Sequence, residues 1–309
     1  MNKRTLPSFT ALVALLLAAC LTVSAEVKEA TYEVEVRTDV KIPMRDGVEL
    51  SANIFLPKAE GKFPVLLMRT PYGKGNEKNG AGHYYASHGY VVVLQDCRGT
   101  GQSDGKWVPF LNETPDGHDT HLWILEQPWC NRRMGTFGGS YVGFTQWMGA
   151  VRAGPYLKAM VPVVPLIDPY GDAVYFNDSG AFNLSLSMGW GGLVSFQKGE
   201  KVPEIDWEKA FEVLPLMEWD TKVTGRKIPY LRDWLEHNTF DEYWKKGSVR
   251  GKWHEIRSPM LNIGGWYDIF SKTVLEHTQK VRETSMARPM RNHQHVIIGP
   301  WIHGVSHDG

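Results

Sequence analysis

One stretch, residues 135–150, constrains the fold of this chain more than any other. It reads Gly-Thr-Phe-Gly-Gly-Ser-Tyr-Val-Gly-Phe-Thr-Gln-Trp-Met-Gly-Ala, so an apolar run ends at two glycines, one serine follows, and a helix-compatible segment begins. This order predicts a strand, a sharp turn and a helix, with the hydroxyl of Ser140 exposed above a sheet. Ser140 is therefore the candidate nucleophile, although an ordinary tight turn has the same glycine pair. The pattern departs from G-x-S-x-G, because Val142 holds the last position and the glycine comes one later, at Gly143.

Short, largely apolar runs recur along the chain and predict the strands of a sheet. They lie at residues 65–68, 90–94, 134–137, 159–164, 260–263 and 296–298. Runs without a polar face are typical of strands that are covered on both sides. Helix-compatible segments at 84–89, 116–126 and 273–284 alternate with them, which predicts a mostly parallel sheet with helices on both faces. Residues 32–36, which alternate apolar and polar side chains, and residues 48–56 predict an antiparallel edge.

The alternation stops between residues 165 and 252, where Gly, Asn, Ser, Trp and Phe mix and an amphipathic charged stretch follows at 202–213. Nothing in this region has the pattern of a strand of the same sheet. We interpret it as a mainly helical cap inserted over the active face. The core of the fold is then divided into a first part, residues 26–164, and a second part, residues 253–309.

The amino terminus has the layout of a secretory signal over residues 1–25. Two basic residues precede an apolar run at 11–19, which is too short to cross a bilayer. Small residues before Glu26 suit ordinary cleavage, whereas residues 17–20 resemble a lipobox in which Cys20 would carry lipid. Both alternatives predict a secreted or periplasmic protein, and membrane attachment is expected only through Cys20.

Two further cysteines, Cys97 and Cys130, would then lie in an oxidising compartment, where a pair can form a disulfide. Sequence does not supply the distance between them, so a bridge and two free thiols are both open. Neither cysteine follows a turn like the one at Ser140, which argues against a catalytic cysteine.

Charge and composition exclude some partners. The chain has 34 Lys and Arg against 34 Asp and Glu, so no global field favours nucleic acid, and no nucleic-acid partner is expected. Its 12 tryptophans and 11 methionines suit a large core or an apolar pocket.

A serine hydroxyl needs a base and a group that orients the base. Asp268 and His303 each follow a late apolar run, and the carboxyl ends of parallel strands are where reactive groups gather. The order Ser140, Asp268, His303 is that of the α/β-hydrolases and differs from the orders in chymotrypsin and subtilisin. The backbone N–H of Tyr141, the residue after the serine, would be one oxyanion donor.

Other acidic residues compete with Asp268 for these roles. Asp168, Asp172 and Asp178 fall in the predicted cap and could instead line the substrate pocket. Asp96 lies in a glycine-rich loop, where a carboxylate more often accepts hydrogen bonds from backbone N–H groups than takes part in chemistry.

Five motifs carry a resemblance to a known family. They are Arg-Thr-Pro-Tyr-Gly at 69–73, Gln-Asp-Cys-Arg-Gly at 95–99, Gly-Gly-Ser-Tyr-Val-Gly at 138–143, Gly-Gly-Trp-Tyr-Asp at 264–268 and Gly-Pro-Trp-Ile-His-Gly at 299–304. From about residue 40 to the end, the chain resembles the cocaine esterase and X-Pro dipeptidyl-peptidase-like (CocE/NonD) serine hydrolases. That family's serine turn is G-x-S-Y-x-G, which accounts for the displaced glycine.

The resemblance implies an α/β-hydrolase fold, the triad Ser140, Asp268 and His303, and Tyr72 as an oxyanion donor beside the amide of Tyr141. It also exposes two departures. Family members continue into a β-sandwich domain, whereas this sequence ends six residues after His303, so we expect a fragment that lacks this domain. Relatives that act on α-amino-acid esters have acidic residues just after the triad aspartate, where this chain has Ile269.

The sequence therefore predicts a serine hydrolase that cleaves a small carboxylic ester, an amide or a short peptide through an acyl-enzyme, without a metal or organic cofactor. An X-Pro dipeptidyl-peptidase or acylase is the alternative within this chemistry. From another class, an inactive hydrolase-fold protein that binds a ligand or partner remains open.

Overall fold

In a computed structural model of the chain, residues 29–196 and 199–303 are described. Within them lies one eight-stranded sheet of order β1-β2-β4-β3-β5-β6-β7-β8, antiparallel at its β1-β2-β4 edge and parallel from there on. The strands are β1 Val34–Pro43, β2 Glu49–Pro57, β3 Phe63–Thr70, β4 Val91–Asp96, β5 Cys130–Gly139, β6 Leu157–Val163, β7 Met260–Gly265 and β8 Gln294–Gly299. The predicted mostly parallel sheet is confirmed.

Helices pack on both faces of the sheet. The α-helices of the described residues are α1 Gly80–Ser87, α2 Glu113–Glu126, α3 Tyr141–Ala150, α4 Gly191–Leu193, α5 Trp207–Ala210, α6 Trp219–Thr224, α7 Pro229–Glu236, α8 Glu242–Lys246 and α9 Ser271–Thr284. A small apolar cluster lies beneath α1, where Phe55 and Val92 meet Ala86. The main core lies on the other face, under α2, α3 and α9, and contains Phe144 and Val281. The two apolar layers explain why the central strands have no polar face.

The region between β6 and β7 contains α4 to α8 and adds no strand to the sheet in its described part. Two π-helices, Pro169–Val174 and Ser185–Trp190, begin it, and 3₁₀ turns connect several of the short helices. Its interior is aromatic and continuous with the main core, because Trp219, Trp234 and Trp244 are almost fully buried in the same apolar cluster. This is the mainly helical insertion that the sequence predicts, and we refer to residues 165–252 as the cap. Within the charged stretch 202–213, only the single turn α5 is α-helical.

Cys97 and Cys130 are free, buried thiols, so the open question of a disulfide is answered against the bridge. Sheet topology gives the reason. Cys97 follows the last residue of β4, whereas Cys130 is the first residue of β5. Since β4, β3 and β5 run parallel, the two thiols lie at opposite ends of the strands. Disulfide geometry requires Cα atoms within about 7 Å of each other.

The predicted signal segment, residues 1–25, and the candidate lipid site Cys20 lie outside the described residues. None of the helices in the described ranges combines the length and the apolarity that crossing a bilayer requires.

Candidate active site

Ser140 lies at the sharp turn that the sequence predicts between β5 and α3. Its backbone has φ 56° and ψ −125°, a strained conformation for a residue with a side chain. The turn is held from both sides: Ser140 N–H donates to the carbonyl of Val163 at 2.8 Å, and the Ser140 carbonyl accepts from Gly143 N–H at 2.8 Å. The strain is therefore fixed by β6 on one side and by the first turn of α3 on the other.

Two glycines of this turn are required by close packing. Gly138 has φ 130°, and a Cβ atom there would lie 2.3 Å from Cγ1 of Val142. A Cβ atom at Gly143 would lie 2.7 Å from Cβ of Pro165. Helix α3 thus approaches the following segment too closely at position 143 to leave room for a side chain. This explains why the glycine stands there while position 142 accommodates valine.

Ser140, His303 and Asp268 form a continuous hydrogen-bonded chain. His303 Nε2 lies 2.9 Å from Ser140 Oγ, and His303 Nδ1 lies 2.7 Å from Oδ2 of Asp268. The Asp268 side chain is buried and its other oxygen accepts from Phe270 N–H at 2.6 Å, whereas the imidazole is partly exposed. The three residues lie at or just beyond the carboxyl ends of β5, β7 and β8, so the parallel sheet brings together groups that are far apart in the chain.

Tyr72 follows β3 and reaches the same site. Its hydroxyl accepts a hydrogen bond from the indole N–H of Trp190 at 3.2 Å, and Tyr72 lines the same cavity as Ser140. Loss of solvation raises the pKa of the Tyr72 hydroxyl above its ordinary value, and hydrogen bonding only partly offsets this. Although the residue as a whole is 52% exposed, its pKa depends on the surroundings of the hydroxyl oxygen, which the indole N–H of Trp190 contacts. It therefore stays protonated and able to donate.

Tyr141 is the first residue of α3, so its N–H lacks an intrahelical acceptor and is free for a ligand beside Ser140. Its phenol is buried and points the other way. The hydroxyl accepts from Phe110 N–H at 2.8 Å and donates to Oε1 of Glu113 at 3.1 Å. Burial raises the pKa of the Tyr141 hydroxyl well above its ordinary value. This anchoring of the ring fixes the backbone that carries the N–H.

A buried ion pair supports this anchor. The guanidinium of Arg69 lies 2.9 Å from Oε2 of Glu113, and both side chains are almost fully buried. Arg69 also donates to Gln95 Oε1 at 2.9 Å and to the Glu113 carbonyl at 3.0 Å. Arg69 lies inside one of the five motifs but had no predicted role. Glu113 was not predicted to lie near the site, because a pairing between residues 44 positions apart leaves no local signal in the sequence.

Glu113→Gln should lower the free energy of unfolding by roughly 3 kcal/mol, because it leaves the charge of Arg69 buried without its partner. Chemical denaturation measures the change. Glu35→Gln is the matched control, since Glu35 and Arg37 form an exposed pair at 2.7 Å, and such pairs contribute about 1 kcal/mol or less. Equal losses in the two variants would contradict the assignment of a buried pair.

A cavity of about 130 Å³ opens beside Ser140 and His303. The predicted residues Tyr72, Ser140, Tyr141 and His303 line one side of it. The rest of the wall is apolar and consists of Phe110, Leu166, Ala173, Leu186, Trp190, Ile269 and Phe270. The lining contains no acidic side chain among the described residues. Such a cavity suits an uncharged, apolar group.

The competing aspartates lie elsewhere. Asp172 and Asp178 line a separate cavity, and Asp178 and Asp168 both form ion pairs with Arg250. Asp96 accepts from the backbone N–H groups of Lys74 and Gln102 and is paired with the Lys74 ammonium group at 3.0 Å. These contacts give the four carboxylates structural partners away from Ser140.

Asp172 is a buried carboxyl with an unusual titration. One of its oxygens accepts from Ile167 N–H at 2.9 Å, from Asp168 N–H at 2.6 Å and from the Thr273 hydroxyl. Burial, followed by the charge of Asp168, raises its pKa from 3.8 to about 7. Between these values the folded state binds more protons than the unfolded chain, so this group makes stability fall as pH rises through that window.

Asp172→Asn should flatten this part of the pH dependence and raise the free energy of unfolding at pH 8 by about 1 kcal/mol or more. An amide oxygen can accept the same three hydrogen bonds, and the buried charge is gone. Denaturation at pH 5 and pH 8 measures both effects, with the exposed Asp104→Asn as control. A slope unchanged by Asp172→Asn would contradict the titration of this residue.

A strained serine turn that leads into a helix at the carboxyl edge of a mostly parallel sheet defines the α/β-hydrolase class of folds, and this chain has that arrangement. A finer assignment comes from sequence. The family model of the X-Pro dipeptidyl-peptidase (S15 family) matches residues 46–305, so the chain belongs to this family of hydrolases.

Individual relatives agree with this assignment. The chain is 34% identical over 290 residues to cocaine esterase from Rhodococcus sp. (strain MB1 Bresler), an alignment of 87% of this chain and 49% of that protein. An α-amino acid ester hydrolase structure superimposes with a TM-score of 0.68 at 26% identity, covering 92% of this chain and 51% of the other. An aminopeptidase from a marine sediment Thaumarchaeota archaeon shares the fold, with a TM-score of 0.66, 23% identity and coverages of 92% and 51%. This chain spans about half the length of each relative.

Proposed function

We propose that the protein is a serine hydrolase that cleaves carboxylic esters with an apolar acyl group through an acyl-enzyme. The observation that carries the proposal is the hydrogen-bonded chain in which His303 lies 2.9 Å from Ser140 Oγ and 2.7 Å from Asp268. These distances are within the reach that proton transfer from a serine to a histidine requires.

In the proposed reaction, Oγ of Ser140 attacks the carbonyl carbon of the ester while His303 Nε2 accepts its proton. Asp268 accepts a hydrogen bond from His303 Nδ1–H and stabilises the positive charge that forms on the imidazole. The N–H of Tyr141 and the O–H of Tyr72 donate to the developing oxyanion. His303 then gives the proton to the leaving alcohol, and water hydrolyses the acyl-enzyme along the same path.

The cavity supports an ester with an apolar acyl group as the substrate. Its wall offers aromatic and aliphatic side chains, with Leu166, Leu186 and Phe270 among them, and a volume of about 130 Å³ suits a small acyl chain or a ring. The similarity to a protein named cocaine esterase favours the same class of bond.

An X-Pro dipeptidyl-peptidase is the second candidate, which the name of the matching family favours. Such an enzyme has to bind the ammonium group at the start of its substrate, and burying an ammonium group without a carboxylate partner is costly. Asp172, which the sequence placed among the residues that could line the substrate pocket, accepts hydrogen bonds from three protein groups and lines a different cavity. The site geometry therefore favours the ester.

Comparing p-nitrophenyl butyrate with a Gly-Pro p-nitroanilide separates the two candidates. We expect kcat/KM to be higher for the ester by at least about 100-fold, because the anilide brings an unpaired ammonium group to an apolar wall. A preference for the anilide would reject the esterase and support the peptidase.

Labelling with a fluorophosphonate probe tests the remaining alternative, an inactive protein of this fold. We expect one label per chain, on Ser140, identified by peptide mass spectrometry. A folded protein that takes no label and hydrolyses neither substrate would be a binding protein with a dead site.

We also propose that the protein is exported, on the charge and hydropathy pattern of residues 1–25. The mass of the mature amino terminus tests this. Cleavage before Glu26 indicates plain secretion, a lipid-modified Cys20 indicates membrane anchoring, and an uncleaved terminus in the cytoplasm would contradict export.

A further inference from the structure

We infer that Trp190 of the cap is a positioning residue of the oxyanion hole: its indole N–H holds the Tyr72 hydroxyl so that the phenol proton points toward Ser140. The inference rests on the proposed function, because it concerns how one donor of the proposed hydrolase is aimed. It also means that the cap takes part in arranging the catalytic groups and does more than cover them.

The hydrogen bond between Trp190 and Tyr72 has a fixed direction. Trp190 Nε1 lies 3.2 Å from the Tyr72 hydroxyl oxygen. An indole N–H is a donor only, so the phenol oxygen has to be the acceptor in this contact. The phenol proton is consequently not used on Trp190. The phenol proton is free to point into the cavity that Tyr72 shares with Ser140, on the side where the proposed oxyanion forms.

Trp190 is itself firmly placed, as a positioning residue has to be. Its ring stacks on Tyr141 with centroids 5.8 Å apart and on Phe110 at 5.6 Å, both within about 25° of parallel. On the cap side it stacks on Trp234 at 6.5 Å with an interplanar angle of 4°. Tyr141 carries the other proposed oxyanion donor. One indole therefore contacts both residues that supply the oxyanion hole.

Tyr72 needs such support because the core holds it loosely. The side chain is 52% exposed, and its ring meets Tyr141 edge-on at a centroid distance of 6.5 Å. A phenol hydroxyl rotates about its C–O bond and can donate to water in place of the substrate. A fixed donor on its oxygen disfavours that rotation, which is the preorganisation on which an oxyanion hole depends.

A simpler role for Trp190 makes a different prediction. Trp190 also lines the cavity, so it could act only as a wall that binds the acyl group. A wall binds the ground state and the transition state alike, so its loss raises KM and leaves kcat unchanged. The increase in KM would also be the same whether or not Tyr72 has its hydroxyl.

A double-mutant cycle on p-nitrophenyl butyrate hydrolysis distinguishes the two roles. Trp190→Phe removes the N–H and keeps an aromatic ring, and we expect kcat to fall by roughly 3- to 10-fold, the size of one neutral hydrogen bond, with KM within about 2-fold. In the Tyr72→Phe background the same change should alter kcat by less than about 2-fold. An equal fall in both backgrounds, or a change in KM alone, would overturn the inference.

Trp234→Phe is the matched control, because Trp234 belongs to the same stack but contributes neither a hydrogen bond to Tyr72 nor a wall of the cavity. We expect its kcat to stay within about 2-fold of the wild-type value, since it retains the Trp190 N–H. The amount of fluorophosphonate label bound at saturation gives the concentration of reactive sites in each variant, and kcat is calculated per labelled site. If Trp190→Phe does not fold, Trp190→Leu removes the same N–H and enters the same cycle.

The Ser140→Ala variant distinguishes a failure of the proposed function from a failure of the positioning role of Trp190. Hydrolysis that persists in this variant would reject the proposed function, and the inference with it. Hydrolysis that requires Ser140 but responds equally to Trp190→Phe in both backgrounds would reject the positioning role alone.

Discussion

Ser140→Ala should reduce kcat for a small aryl ester by roughly a millionfold, to a residue of activity that binding and the oxyanion hole alone provide. The alanine removes the only group in the hydrogen-bonded chain that can form the acyl-enzyme, while His303 and Asp268 keep their contact at 2.7 Å. Fluorophosphonate labelling should disappear together with turnover. Stopped-flow or initial-rate assays of p-nitrophenol release measure the loss.

Two companion variants sharpen this result. Ser179→Ala changes an exposed serine that does not line the cavity, and it should leave kcat unchanged. Ser140→Gly should be as inactive as the alanine variant but at least as stable as the wild type, because glycine adopts φ 56° without the strain that a side chain brings. A rate unaltered in Ser140→Ala would remove this serine from the mechanism.

The parts of the fold that sequence predicts are those with a local signal. Apolar runs without a polar face mark strands buried on both sides, and residues 65–68 and 260–263 lie within β3 and β7 as expected. The glycines before Ser140 mark the turn, and at Gly138 the backbone with φ 130° leaves no room for a side chain beside Val142. The carboxyl edge of a parallel sheet then brings Ser140, Asp268 and His303 together, since their positions after the strands are fixed by chain order.

The features that sequence could not predict depend on contacts between distant side chains. Whether Cys97 and Cys130 meet depends on which ends of the strands they occupy, and no spacing along the chain reports that. The hydrogen bond of Trp190 to Tyr72 joins residues 118 positions apart. Within the cap, many of the helices are only one or two turns long and leave no extended periodic pattern. The bounds of the helical turn within the charged stretch 202–213 could therefore not be predicted.

Asp172 shows how a plausible residue type can be in the wrong place. The sequence allowed this carboxylate to line the substrate pocket, yet the three groups that donate to it come from the protein itself. The side chains that line the cavity beside Ser140 in the described residues are mostly apolar, and Asp172 is not among them. The candidate triad could be predicted from its order in the chain, whereas the proposed apolar acyl group rests on the cavity wall, which sequence does not reveal.

Tyr72→Phe should lower kcat for the aryl ester by about a hundred- to a thousandfold, the usual loss when one oxyanion donor is removed. The free energy of unfolding should change by about 1 kcal/mol or less, because the change removes one neutral hydrogen bond from a residue that is about half exposed. KM should change little, since the hydroxyl donates most strongly to the charge of the transition state. Steady-state kinetics and chemical denaturation measure the two effects.

Tyr84→Phe is the matched control for this change, because Tyr84 is 51% exposed, nearly the same as Tyr72, and does not line the cavity. It should leave kcat unchanged. The raised pKa of Tyr72 adds a second test, since a hydroxyl that stays protonated predicts no fall in the wild-type rate from its ionisation up to about pH 10. If Tyr72→Phe retains a kcat within about 3-fold of the wild type, Tyr72 is not the second oxyanion donor. The positioning role inferred for Trp190 would then be rejected as well.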